Sequence, residues 1–121
     1  MDRYLTLVCE EEIQSAHCLT KVPDGHKCAN SHGHRWKIKL EIESTPMSLP
    51  ANGMIVDFGE IKKVIRELDH KNLNDFVDNP TCENLCLYLV EKIQPLLSKG
   101  IVLKIVEIEE SPGNRVRWSY K

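Results

Sequence analysis

The stretch His26-Lys27-Cys28-Ala29-Asn30-Ser31-His32-Gly33-His34, running on into Arg35-Trp36-Lys37-Ile38-Lys39-Leu40-Glu41-Ile42-Glu43, decides the architecture and much of the chemistry. From Arg35 to Glu43 polar and apolar residues alternate, the period of a strand with one buried face, and Trp36, Ile38, Leu40 and Ile42 share that face. Carried back, the same period puts His32 and His34 on it. Buried ring nitrogens need partners, and one metal ion serves both rings; zinc is the metal expected. The expected third ligand is His17, which ends Ile13-Gln14-Ser15-Ala16-His17, where Ile13, Ser15 and His17 share a face. Antiparallel pairing of this strand with the one that follows His34 makes the three imidazoles converge. Three neutral histidines with a fourth position open form the donor set of a catalytic site rather than a closed structural one.

Working outward, Leu5–His17 and Trp36–Ser44 read as two long strands, joined through a Pro23-Asp24-Gly25 turn region that carries Cys28. The Pro46–Gly53 stretch is a loop. From Asp57, an expected N-cap, the apolar residues Phe58, Ile61, Val64, Ile65 and Leu68 recur at helical spacing, and this helix should end near Asp69-His70. A second helix follows Asn79-Pro80, with Thr81 as cap and Glu83 in its first turn, and buries Leu85, Leu89 and Ile93 until Pro95 limits it. Ile101–Glu110 is a third strand and Val116–Tyr120 a fourth, with Ser111-Pro112-Gly113-Asn114 between them. The order ββααββ is that of an α+β domain: a four-stranded antiparallel sheet with two helices on one face. The other face then needs a partner. Trp36, Trp118 and Tyr120, near strand ends or edges, are expected between subunits of a homo-oligomer.

Length and charge bound the rest. A chain of 121 residues suits one domain covering residues 1–121. Its 16 basic and 18 acidic side chains are intermixed, giving a net charge of −2 with no basic block, so nucleic acid is not an expected partner. Five cysteines are an odd number, and Cys82 and Cys86 stand at helical spacing, which fits a reducing cytoplasm. Cys9, Cys18, Cys82 and Cys86 read as small buried apolar groups. With no long apolar span, and acidic residues at Glu10, Glu11 and Glu12 where a leader would be apolar, neither membrane insertion nor export is expected.

Ser15-Ala16-His17, Cys28-x-x-x-His32-Gly33-His34, Leu68-Asp69-His70-x-x-Leu73-Asn74-Asp75, Asn79-Pro80-Thr81-x-Glu83-Asn84 and Glu109-Glu110-Ser111 occur together, in order, between about Leu5 and Tyr120. In this the chain resembles the 6-pyruvoyltetrahydropterin synthase superfamily, and within it the branch that makes 6-carboxytetrahydropterin. The resemblance implies a tunnelling fold, in which ββααββ subunits join through their sheets into a barrel, usually a hexamer of two trimers with active sites between subunits. It implies a carbon–carbon lyase of the queuosine pathway that converts 7,8-dihydroneopterin triphosphate into 6-carboxy-5,6,7,8-tetrahydropterin, acetaldehyde and triphosphate. Zinc on His17, His32 and His34 would act as Lewis acid. Cys28 would abstract a proton from the substrate side chain, and Asp69 would orient His70 to move a second. Glu110 would anchor the pterin through two parallel hydrogen bonds, Lys27 beside His26 would meet the triphosphate, and Thr81 and Glu83 would line the pocket wall.

Plainer roles stand beside these. Asp69-His70 would cap the first helix, and Glu109 and Glu110 would be solvated charges at a strand end. Three residues separate Cys28 from His32, as in the carboxy-forming branch, whereas the pyruvoyl-forming animal enzyme has more. The folate branch carries a glutamate near or in place of the cysteine, but positions 29–31 here are Ala, Asn and Ser. The usual Phe before the first histidine motif is Ile13. Two other functions remain open on these residues: a relative that cleaves the same substrate to a different product, and a non-catalytic zinc-stabilised assembly module.

Overall fold

Alternation of apolar and polar side chains runs through two strands of 13 residues each, β1 (Leu5–His17) and β2 (His32–Ser44), in a computed structural model that describes residues 3–120. They pair antiparallel in continuous register from Leu5↔Ser44 to His17↔His32. β2 therefore begins at His32, four residues before the expected Trp36, because the ladder with β1 carries on through the histidine motif. The chain then forms α1 (Phe58–Arg66), α2 (Cys82–Ile93), β3 (Ile101–Ser111) and β4 (Asn114–Ser119). The sheet order is β1-β2-β3-β4, all neighbours antiparallel. The result is the ββααββ tunnelling fold.

Both helix starts follow from their caps. Asp57 Oδ1 accepts the Gly59 N–H at 2.8 Å, and Thr81 Oγ1 accepts the Asn84 N–H at 3.0 Å, each satisfying a donor the helix cannot use. α1 stops at Arg66, sooner than its apolar spacing suggests, and tight turns carry the chain to Asp69. Leu7, Cys9 and Ile13 of β1, Trp36, Ile38, Leu40 and Ile42 of β2, and Leu103, Val106 and Ile108 of β3 form one sheet face. Ile61 and Ile65 from α1 and Leu85, Cys86, Leu89 and Ile93 from α2 close over it. Glu11 also points to this side, at the sheet edge, where Arg66 Nε at 3.2 Å and Lys62 Nζ at 4.0 Å meet its carboxylate.

Trp36 corrects the expectation of a subunit contact. It is 1% exposed within one chain and packs in the core, its indole N–H donating to the Ser15 carbonyl at 3.1 Å. Trp118 is half-buried against the same core, and Tyr120 is exposed. Cys18 is half-buried rather than buried, while Cys9, Cys82 and Cys86 are core residues as expected.

Two irregularities matter for the site. At the β3–β4 turn Pro112 precedes Gly113 at φ 83°, a conformation glycine supplies without strain. In the ladder leading to that turn Glu109 pairs with Arg115 and Ser111 with Asn114, so Glu110 is an extra residue in a β-bulge.

Candidate metal centre and active site

His17, His32 and His34 converge at one end of the sheet because their strands are paired there, and Glu110 joins them from the bulge. One donor atom from each of the four lies within 4.8 Å of every other. The ring orientations are set by main-chain carbonyls. His17 Nδ1 donates to Pro80 O at 2.7 Å and His32 Nδ1 to Asn30 O at 2.8 Å. A carbonyl only accepts, so each Nδ1 carries the hydrogen and each neutral ring presents an Nε2 lone pair. Those two Nε2 atoms are 3.0 Å apart. Lone pair against lone pair at that distance is repulsive, and a shared cation turns it into attraction. His34 Nε2 is buried without a hydrogen bond; Glu110 Oε1 lies 3.0 Å away but out of hydrogen-bond alignment. These rings can hold a metal ion.

Burial lowers the His17 imidazole below its ordinary range, with the Pro80 carbonyl pulling the other way. Burial likewise lowers His34, against the opposing carboxylate of Glu110. Both stay neutral in the fold, the form that binds metal. The sign for stability follows. Below about pH 6.5 the unfolded chain takes up protons that the folded rings refuse, so the folded state loses stability as pH falls through that value and until the folded pKa values are passed. Urea unfolding in the presence of a chelator at pH 7.5, 6.5 and 5.5 is expected to show a falling midpoint; a constant midpoint would mean the rings protonate freely in place.

Cys28 sits half-buried in a tight turn, Lys27–Ala29, between the strands. Pro23 and His26 close the preceding turn, with Gly25 at φ 83°. The Cys28 N–H donates to His26 Nδ1 at 3.0 Å, and its carbonyl accepts from Leu19 N at 2.7 Å. His26 is thus the cap that shapes the thiol's turn, a role with no sequence signature. Lys27 is exposed on the same turn.

Asp69 and His70 form a pair, with His70 Nδ1 3.0 Å from Asp69 Oδ2, but within one chain they are not part of the histidine cluster. They clasp the outer edge of β1: Gln14 N–H donates to Asp69 Oδ1 at 2.8 Å, and His70 N–H donates to the Gln14 carbonyl at 2.7 Å. The Gln14 N–H holds the Asp69 carboxyl below the usual range, and His70 adds to it. Meeting the strand this way puts His70 at φ 55°, the left-handed region, unusual outside glycine. Its side chain is 77% exposed. Neither residue caps α1, which has already ended.

Glu110 also borders a cavity of about 290 Å³ lined by Cys82, Glu83, Gly113, Asn114, Arg115 and Val116. Glu83 thus reaches a pocket wall, whereas Thr81 caps α2. Arg115 and Cys82 were not expected there: the bulge and the turn after it, not any residue pattern, bring β4 against the start of α2. Burial pushes the Cys82 thiol up to about 12, so it stays protonated.

The fold and the site define an α+β domain able to hold a metal ion at the end of its sheet, next to the cavity that Glu110 borders. The chain belongs to the 6-pyruvoyl tetrahydropterin synthase family, whose model matches residues 6–120. It is 29% identical to a protein of Archaeoglobus fulgidus provisionally named 6-carboxy-5,6,7,8-tetrahydropterin synthase, over 98% of this chain and 96% of that one. It is 36% identical to the dihydroneopterin monophosphate aldolase of Pyrococcus furiosus, over 72% of this chain and 78% of that one. The structure of Caenorhabditis elegans 6-pyruvoyl tetrahydropterin synthase superposes with a TM-score of 0.77 at 29% identity, covering 99% of this chain and 98% of the other. Among the described residues no helix is long and apolar enough to cross a membrane.

Proposed function

We propose that this single-domain protein is a zinc-dependent lyase that converts 7,8-dihydroneopterin triphosphate and water into 6-carboxy-5,6,7,8-tetrahydropterin, acetaldehyde and triphosphate, in the cytoplasm and on the route to queuosine. The observation that carries the reading is the set of Nε2 lone pairs gathered beside the cavity that Glu110 borders. Family membership supports a pterin substrate, and the three residues between Cys28 and His32 favour the carboxy-forming branch.

His17, His32 and His34 hold the zinc, which when bound supplies the positive charge that polarises substrate oxygens. Glu110 accepts the amino and ring N–H groups of the pterin as a bidentate anchor. The Cys28 thiolate removes a proton from the substrate side chain, and His70, oriented by Asp69, moves the second proton. Lys27 meets the triphosphate, with Glu83 bordering the ring.

The sheet supports assembly into a homohexamer of two trimers. On the face away from the helices, side chains form rows Glu10-Lys39-Glu107-Arg117 and Glu12-Lys37-Glu109-Arg115 across the four strands. β1 thus offers an acidic edge column and β4 a basic one, and joining them between copies continues the alternation.

Mass-spectrometric product analysis of the zinc-loaded protein, given the triphosphate and, separately, the monophosphate, tests the reaction. Carboxytetrahydropterin and acetaldehyde are expected from the triphosphate. A hydroxymethyl pterin from the monophosphate would favour the second reading, which the Pyrococcus relative suggests, and a pyruvoyl product would move the chain to another branch. No turnover of either would support the assembly module.

A further inference from the structure

Glu110 has two neighbours that want its carboxylate, and the structure places it between them. On one side, Oε1 lies 3.0 Å from His34 Nε2 and 4.0 Å from His17 Nε2. On the other is the cavity bounded by Cys82, Gly113 and Val116. Donor atoms bonded to one tetrahedral zinc at about 2.0–2.1 Å stand roughly 3.3 Å from each other. The His17–His32 separation of 3.0 Å and the His34–Glu110 separation of 3.0 Å are both of that order, and with His17 4.0 Å from the carboxylate and all four donors within 4.8 Å of one another, Glu110 is a member of the donor group. Its position has a cause in the backbone. Glu110 is the unpaired residue of the β3 bulge, and such a residue is re-aimed relative to a regular strand.

We propose that Glu110 is a fourth metal donor in the substrate-free protein, closing the centre, and that it leaves the metal when a pterin ring in the adjoining cavity takes its carboxylate. This rests on the metal reading above and deepens it. The side chain is 29% exposed, so it has room to turn from one partner to the other. One carboxylate cannot direct the same oxygens to a metal and to the N–H groups of a heterocycle. Ring binding and opening of the fourth position are therefore coupled: the position becomes free only when the substrate that needs it is seated. Small anions are kept off the metal meanwhile.

Cobalt(II) reports this without turnover, because its visible absorption follows coordination number and donor set. Metal-free protein is titrated with cobalt(II), and the spectrum is followed on adding azide and, separately, neopterin, which lacks the triphosphate leaving group. In the wild-type protein azide is expected to leave the spectrum unchanged and neopterin to alter it. Glu110→Gln keeps the shape of the side chain but removes the anionic donor; it is expected to bind cobalt about 10–100-fold more weakly and to give a spectrum that responds to azide. Identical affinities and spectra for the two proteins, or a wild-type spectrum that azide shifts as readily as the variant's, would overturn the proposal. The azide arm needs no variant, so a folding defect in Glu110→Gln leaves it intact. His32→Ala separates the two levels. If it loses cobalt while Glu110→Gln matches wild type, the three-histidine centre stands and the fourth donor falls; if wild-type protein binds no cobalt, both fall.

Discussion

Cys28→Ala is expected to lower turnover of 7,8-dihydroneopterin triphosphate by about 10²–10⁴-fold, the usual contribution of a positioned general base, with zinc content and thermal midpoint unchanged. The expected selectivity comes from how the turn is held. His26 Nδ1 binds the Cys28 amide and Leu19 binds its carbonyl, so the loop is shaped by main-chain bonds that an alanine preserves. The thiol itself takes no part in them. Half-buried at a turn, it lies outside the core cluster, and its loss leaves no cavity among packed side chains. Steady-state kinetics with metal analysis on the same samples checks this. If Cys28→Ala turns over at the wild-type rate, the base lies elsewhere; if activity and zinc are lost together, the thiol serves the metal centre rather than proton transfer.

How much of this could be read from residues depended on whether the deciding atoms belong to side chains. Alternation is strict from Arg35 to Glu43 in β2 and holds in β1 apart from Val8 and Glu11, and since register follows alternation where one face is buried, the convergence of His17, His32 and His34 followed from the same pattern. Asp57 and Thr81 announce their helices for a similarly local reason. The carbonyls of Pro80 and Asn30, which fix the imidazole tautomers, are main-chain atoms that any residue would supply, so no pattern marks them. Glu110 could be assigned to the face of Val106 and Ile108, but the bulge that re-aims it arises from pairing with β4 across the Pro112-Gly113 turn. Trp36 was misread for a related reason. A large aromatic near a strand end can serve a core or an interface, and only the His17 and His34 rings packed 4.9 and 5.2 Å from it reveal that it floors the histidine cluster. His70 is least legible: its positive φ follows from clasping Gln14, a contact 56 residues away in sequence.

That clasp leads to the second large effect. His70 stands on the outer edge of β1 at Gln14, facing solvent, while Cys28 is tied to Leu19 beyond the strand's end and the imidazoles point to the helix side. Along β1, Gln14 and His17 are separated by roughly 10 Å of strand. If His70 and Cys28 act on one substrate, the natural arrangement is across a subunit junction, each site taking its thiol from one copy and its imidazole from the next. Proteins carrying only Cys28→Ala or only His70→Gly should then each be nearly inactive, while mixed oligomers made by co-expressing equal amounts should recover about one quarter of wild-type activity, the chance that a site draws an intact Cys28 from one side and an intact His70 from the other. Glycine is the right replacement because residue 70 is held at φ 55°, where glycine relieves the strain that alanine would keep. Doubly tagged, affinity-purified mixed oligomers give the measurement. Recovery near one quarter places the two groups in different subunits; mixtures no more active than their inactive parents would put Cys28 and His70 in the same chain's site, and a His70→Gly parent that is itself active would remove His70 from the chemistry.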